Sequence, residues 1–169
     1  DTEKIYEIYS IGIGGWGLIT TGEILARAAT REGKNVVKED DTGLSQKGGE
    51  VRDSLKISHP DKKLNEGFKI EAGGADLYIS SDMIGAVNPE NLLTASKQKT
   101  RAIINTQKIP TMPMIVGKAE YPDVGKLKAI IDSHTLASAY GNATEIVERL
   151  FNNFKPTNIF LLGVAFQSV

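Results

Sequence analysis

The glycine run Gly12-Ile13-Gly14-Gly15-Trp16-Gly17 carries the sharpest chemical signal in the sequence. Gly12, Gly14 and Gly17 satisfy G-x-G-x-x-G, directly after an apolar β-branched run and directly before an apolar helical pattern. Glycines at such a βα turn permit a tight bend and close backbone approach. The helix that follows offers N–H groups and its positive dipole end to an anion. Thr20 and Thr21 add hydroxyl groups within reach of the same turn. Two readings are open: a nucleotide pyrophosphate lies on the turn, or the glycines serve only close strand–helix packing. A dinucleotide site also wants an acid about 20 residues on, at the end of the second strand; Glu39, Asp40 and Asp41 stand near that place. Trp16 counts against an open cradle, because its bulk would cover the turn.

A second cluster, Asp41-Thr42-Gly43-Leu44-Ser45-Gln46-Lys47-Gly48-Gly49, joins the second strand to the third. Loops at the C-terminal ends of neighbouring parallel strands meet, which would bring Gln46 and Lys47 beside the first turn. Lys47 supplies a cation and Gln46 an amide donor, a combination suited to phosphate; the alternative is a plain surface loop. The remaining reactive residue types have no such context. His59 and His134 lie far apart with no ligand spacing around them. Ser45, Ser80 and Ser81 lack a G-x-S-x-G elbow. Asp132-Ser133-His134, read in a strand, would point to alternating faces and form no triad. Met112 and Met114, flanking Pro113, are expected to pack. No catalytic residue and no metal ligand is nominated.

The elements that must position these clusters alternate along the chain. Strands are expected at Ile5–Ile11, Asn35–Lys38, Val51–Ile57, Asp76–Ser80 and Ala102–Asn105, with a further one at Met114–Val116. In Val51–Ile57, Asp53 is the exception on an otherwise apolar face. Leu18–Arg31 has helical spacing through Ile19, Ile24, Leu25, Ala28 and Ala29, and Gly33 stands at its stop. His59–Gly74 reads as a connection with a short inset element, Pro89–Ser96 as a helix, and the stretch from Lys126 on as a helical C-terminal third broken near Gly141 and Pro156. Strands alternating with helices predict a single three-layer α/β/α Rossmann-like domain with a largely parallel, mixed sheet.

Composition narrows the function classes. The 169 residues hold 20 basic and 21 acidic side chains, a balance that gives no support to a nucleic-acid or anionic-membrane partner. There is no cysteine, so these residues supply no disulfide, no thiolate nucleophile and no Cys-ligated iron–sulfur cluster. That absence fits a cytoplasmic location. No apolar run approaches the roughly 18 residues of a membrane span. The start at Asp1 without methionine, and the apolar run Asn158–Val169 without a cap after it, suggest a piece of a longer or processed chain.

Taken together, Gly12–Thr21 (GIGGWGLITT) and Thr42–Val51 (TGLSQKGGEV) resemble the gamma-type domain of 2-oxoacid:ferredoxin oxidoreductases, with its G-x-G-G-x-G-[VL]-x-T and, one βα unit later, G-[MLA]-[AS]-Q-[RK]-G-G. The likeness extends through Ala75–Leu77, Asn88–Leu93, Ile103–Pro110 (IINTQKIP) and Asn158–Gly163, and so spans nearly the whole chain. DTGLSQKGG looks most like the indolepyruvate branch. Trp16, where many members carry Gln or Thr, VRDSLKI in place of V-x-S-H-V-R-I, and a longer stretch between Gly141 and Lys155 depart from the pattern; they bear on the choice of 2-oxoacid, pyruvate or indolepyruvate among them, more than on fold. The resemblance implies a non-catalytic component of an enzyme complex. Thiamine diphosphate, Mg²⁺ and iron–sulfur clusters would sit on partner domains, with ferredoxin reached only through the complex. Coenzyme A would be received as cosubstrate at Gly12, Gly14, Gly15, Gly17, Thr42, Gln46, Lys47, Gly48 and Gly49. Two other classes stand beside it: a free-standing Rossmann enzyme binding NAD or FAD, and an interaction module whose turn binds nothing.

Overall fold

The structure, a computed structural model, describes residues 4–42, 49–64 and 67–168, except for the side chain of Ser168. Six strands form one mixed sheet: β1 (Ile5–Ile13), β2 (Asn35–Asp41), β3 (Glu50–Ser58), β4 (Leu77–Ser80), β5 (Arg101–Asn105) and β6 (Ala137–Gly141). Their order is β2-β3-β1-β4-β5-β6. β3 is antiparallel to both its neighbours, whereas β1, β4, β5 and β6 pair in parallel. The largely parallel, mixed sheet expected from the sequence is therefore present.

The helices are α1 (Leu18–Arg31), α2 (Met83–Ala86), α3 (Pro89–Leu92), α4 (Met112–Ile115), α5 (Val124–His134), α6 (Ala143–Phe151) and α7 (Thr157–Ser168). They cover both faces of the sheet. On one face Ile8, Leu55, Leu77, Ile79 and Ile103 pack with Leu25 of α1, Ala143 of α6 and Leu161, Leu162 and Ala165 of α7. On the other, Tyr9, Ile11, Tyr78, Ala102 and Ile104 pack with Met83 and Ala86 of α2 and Leu127 and Ile131 of α5. The strict side alternation of strands explains the split. Opposite one another across β1 and β3, Tyr9 and Ser54 face one layer, and Ile8 and Leu55 face the other.

Several elements differ from the sequence reading. Met114–Val116 is no strand: Met112–Ile115 forms the one-turn helix α4 with Pro113 in its first turn, and Met112 is 69 % exposed rather than packed. The helix expected over Pro89–Ser96 ends at Leu92, and α2 precedes it. No helix or strand occurs between Ser58 and Leu77 among the described residues, so the inset element is absent there. The C-terminal third is not all helical, because Ala137–Gly141 adds the edge strand β6. Ile24 of α1 is 47 % exposed, outside the buried stripe. No described helix is long and apolar enough to cross a membrane.

Candidate anion-binding turn

β1 runs out at Ile13 and the chain enters the glycine turn at the rim where β2 ends and β3 begins. Glu50 pairs with Ile13 at that rim, and Gly14 N–H donates to the Gly49 carbonyl at 2.9 Å. The two glycine clusters thus meet. They do so through an antiparallel β2–β3 pair rather than through neighbouring parallel strands. β3 lies between β1 and β2 in the sheet. Glu39, Asp40 and Asp41 consequently stand one strand away from β1, not on the adjacent parallel strand where a dinucleotide fold keeps its ribose-binding acid. Asp40 is engaged by Lys38. Glu39 and Asp41 line a small cavity with Tyr9 and Arg52, which belong to the opposite sheet face from α1.

Within the turn the glycines divide by role. Gly12 is buried under Ser81 and Leu18: a Cβ there would lie 2.9 Å from Ser81 Oγ, so this glycine serves close packing. Gly15 and Gly17 adopt φ 92° and 82°, the left-handed region that costs an L-side chain roughly 1–2 kcal/mol. A Cβ at Gly15 would meet nothing within 4 Å. Gly17 caps α1 without a side chain, and the first helical bond runs from Thr21 N to the Gly17 carbonyl at 3.1 Å. The N–H groups of Leu18, Ile19 and Thr20 therefore precede the helical ladder.

These donors face a cavity of about 580 Å³ lined by Ile13, Gly14, Gly15, Gly17, Leu18, Ile19, Thr20, Thr42 and Val51. Of the residues nominated from sequence, Gly14, Gly15, Gly17 and Thr42 line it, Gly49 is bonded to its edge, and Gly12 packs beneath. Gln46, Lys47 and Gly48 lie outside the described residues. Thr20 is exposed in the cavity wall, but Thr21 is not available as a donor: its hydroxyl is turned back onto the Gly17 carbonyl at 3.1 Å. Trp16 does not cover the turn. Its ring lies on Phe154, centroids 4.7 Å apart, and its carbonyl accepts from Asn158 Nδ2 at 2.7 Å. Asn158, Leu18, Ile19 and Val51 enter the sequence reading as parts of elements and not as site residues. The signal for Asn158 was an amide side chain entering the first turn of an apolar helix just after Pro156.

A second cavity of about 440 Å³ adjoins across Ile13, lined by Gly12, Glu50, Asp82, Ile109, Met112 and Ile115 among others. Its carboxylates are engaged: Asp82 accepts from Gly85 N–H at 2.7 Å, and Glu50 from Arg52 at 2.8 Å. Burial raises Asp82 above its ordinary range, against the Gly85 bond that lowers it. Beneath the first cavity, Asp53 is 2 % exposed and pairs with Lys38 at 3.1 Å. Burial pushes it up to about 6, with Lys38 lowering and Asp40 raising it. The sequence exception on β3 is thus a buried carboxylate held against α1 at Gly22.

Ser81 Oγ is buried without a hydrogen-bond partner and Ser45 lies outside the described residues, whereas the other reactive residues make local contacts. Ser80 Oγ donates to the Asp82 carbonyl at 2.6 Å. Asp132, Ser133 and His134 close helix α5, not a strand. Asp132 accepts from Tyr140 OH at 2.7 Å while Ser133 Oγ lies 3.0 Å from His134 Nδ1. Asn105, in the IINTQKIP stretch, binds the Ser81 carbonyl, Thr144 Oγ1 and Ala143 N–H, tying β5 to β4 and to the start of α6. The described residues contain no group of three or more His, Cys, Asp or Glu able to hold a metal. The arrangement offers backbone donors and apolar walls to an anionic ligand and brings no acid–base pair to it.

The sequence profile of the family described as pyruvate ferredoxin/flavodoxin oxidoreductase matches residues 7–169. An indolepyruvate oxidoreductase subunit, IorB, of Archaeoglobus fulgidus is 33 % identical over 159 residues, covering 94 % of this chain and 75 % of that one. The fold is shared with the gamma subunit of a keto/oxoacid ferredoxin oxidoreductase from Geobacter sulfurreducens, at TM-score 0.58, 20 % identity and coverage of 94 % and 73 %. It is also shared with a 2-oxoglutarate:ferredoxin oxidoreductase from Magnetococcus marinus solved with 2-oxoglutarate, coenzyme A and succinyl-CoA, at TM-score 0.67 and 18 % identity. There the match covers 95 % of this chain and 24 % of the longer one.

Proposed function

Since the chain belongs to the pyruvate ferredoxin/flavodoxin oxidoreductase family, we propose that it is the gamma-type component of a 2-oxoacid:ferredoxin oxidoreductase, of the indolepyruvate branch. It works as one domain over residues 1–169, as a subunit or as part of a longer chain, in the cytoplasm. It packs on partner domains that carry thiamine diphosphate, Mg²⁺ and the iron–sulfur clusters, where the 2-oxoacid is decarboxylated and the adduct oxidised. Its own contribution is to receive the diphosphate of coenzyme A at the glycine turn.

The observation that carries this reading is the Gly14–Gly49 hydrogen bond. It joins the two glycine clusters on one cavity edge, where the start of α1 presents N–H groups that no side chain of Gly17 caps. A phosphate group placed there gains backbone hydrogen bonds and the favourable end of the helix dipole. Gln46 and Lys47 are the proposed further contributors, one amide and one cation. No residue of this chain is assigned an acid, base or nucleophile.

Co-expression with a thiamine-binding partner, followed by calorimetry, tests this. The assembled complex is expected to bind coenzyme A, and the isolated chain to bind it weakly or undetectably, because the partner supplies the rest of the site. NAD⁺ and FAD are expected to give no heat in either case. Micromolar binding of either dinucleotide to the chain would overturn the assignment.

A further inference from the structure

We propose that Asn158 is the positioning residue of the glycine turn, fixing the Trp16–Gly17 peptide so that the Gly17 N–H points away from α7. Its use in ligand capture rests on the coenzyme A reading above. Asn158 is 2 % exposed and stands in the first turn of α7, 142 positions from the carbonyl that it binds. Nδ2 donates to the Trp16 carbonyl at 2.7 Å. The chain has no cis peptide bond among the described residues, so the Trp16 C=O and the Gly17 N–H point in opposite directions. A carbonyl held toward α7 therefore sends the N–H to the other side. No residue of α7 lines the cavity there, whereas Gly17 does.

The turn needs such a device. With Gly15 at φ 92° and Gly17 at φ 82°, the peptide plane between Trp16 and Gly17 borders a residue with no Cβ to resist rotation. Trp16 is also held by its N–H to the Ile13 carbonyl at 3.1 Å and by its ring on Phe154. Those contacts restrain the indole and the preceding peptide. Only the Asn158 amide grips the carbonyl whose direction sets the Gly17 N–H, among the contacts described. The amide's orientation is fixed as well: reversing it would place Oδ1 against the Trp16 oxygen, two acceptors together. Oδ1 itself is buried with no hydrogen-bond partner. The side chain thus keeps an unsatisfied acceptor, a cost of the kind borne where a polar group serves position.

The test uses the assembled oxidoreductase carrying Asn158→Ala, or Asn158→Asp, which keeps the size and replaces the donor by an acceptor. Hydrogen exchange is read by mass spectrometry on peptides spanning 12–22, where Trp16 and Thr21 N–H bond to Ile13 and Gly17 carbonyls. Both variants are expected to speed exchange there about tenfold, the loss of one buried hydrogen bond, with β4 and β5 unchanged. KM for coenzyme A is expected to rise about fivefold to tenfold, and KM for the 2-oxoacid to stay. Unchanged exchange in the turn, or equal acceleration in β4 and β5, would overturn the positioning role. Faster exchange confined to the turn with an unchanged KM for coenzyme A would support the positioning role and sink the coenzyme A reading instead.

Discussion

The two ends of β1 treat their polar groups in opposite ways. At the start, Glu7 pairs with buried Lys56 at 3.1 Å, and Asp76 accepts the Glu7 N–H at 2.9 Å. Lys99 reaches both carboxylates at 3.8 and 3.7 Å, and Lys4 reaches Asp76 at 3.4 Å. Charge is matched within the fold. At the other end, past Ile13, the chain presents backbone N–H groups and glycines beside a cavity and supplies no described charge of its own to them. A closed ionic network needs nothing further, whereas an uncapped helix start gains from an anion brought to it. The first end holds the sheet together, and the second is the end proposed to receive a ligand.

That contrast predicts which substitutions act on stability and which on binding. The largest effect is expected from Lys56→Ala, which among the described ion pairs leaves Glu7 with the more distant Lys99. Urea denaturation should show a loss of about 3 kcal/mol, with KM for coenzyme A unchanged in the assembled enzyme. A changed KM would mean that the two ends are coupled.

Between the ends, Asp53 should give a pH signature. Its folded pKa is raised from 3.8 to about 6, so across that window the folded state binds more protons than the unfolded one. Its contribution is therefore most favourable below the window and declines as pH rises through it, then stays level. The decline should be on the order of 2 kcal/mol. Asp53→Asn removes it, so the variant should gain on the parent between pH 4 and pH 6.5. A constant difference in unfolding free energy over that range would refute this.

A smaller loss is expected from Gly22→Ala, whose Cβ would fall 2.0 Å from Asp53 Oδ2 and 2.7 Å from Lys38 Cε. Displacing that pair costs more than the better helix propensity of alanine returns, for a net loss of about 1–2 kcal/mol. A raised melting temperature would show that the pair yields freely.

Much of this was legible in the sequence because periodicity and glycine spacing are local signals. α1 was read with its bounds, and the glycine turn was placed between the right elements. The antiparallel β2–β3 pair was not, since an eight-residue connection says nothing about strand direction. β6 escaped because Ala-Ser-Ala-Tyr-Gly contains no β-branched residue; it is a strand through its parallel pairing with β5. Met114–Val116 has the apolar content of a strand, but no strand among the described residues pairs with it, and Pro113 sits in the first turn of a short helix. In the site, Trp16 was read as a cover because its partner Phe154 lies far along the chain. Asn158 is marked in the sequence only as an amide at a helix start, since the Trp16 carbonyl that it binds lies 142 positions away.

The central claim, that the glycine turn receives coenzyme A for a reaction performed on partner domains, is tested most directly by Gly17→Ala in the assembled oxidoreductase. The added Cβ strains a residue held at φ 82°, at a cost of roughly 1–2 kcal/mol. KM for coenzyme A is expected to rise about tenfold, while KM for the 2-oxoacid stays at the parent value. An unchanged KM for coenzyme A, or a rise for the 2-oxoacid alone, would contradict the account.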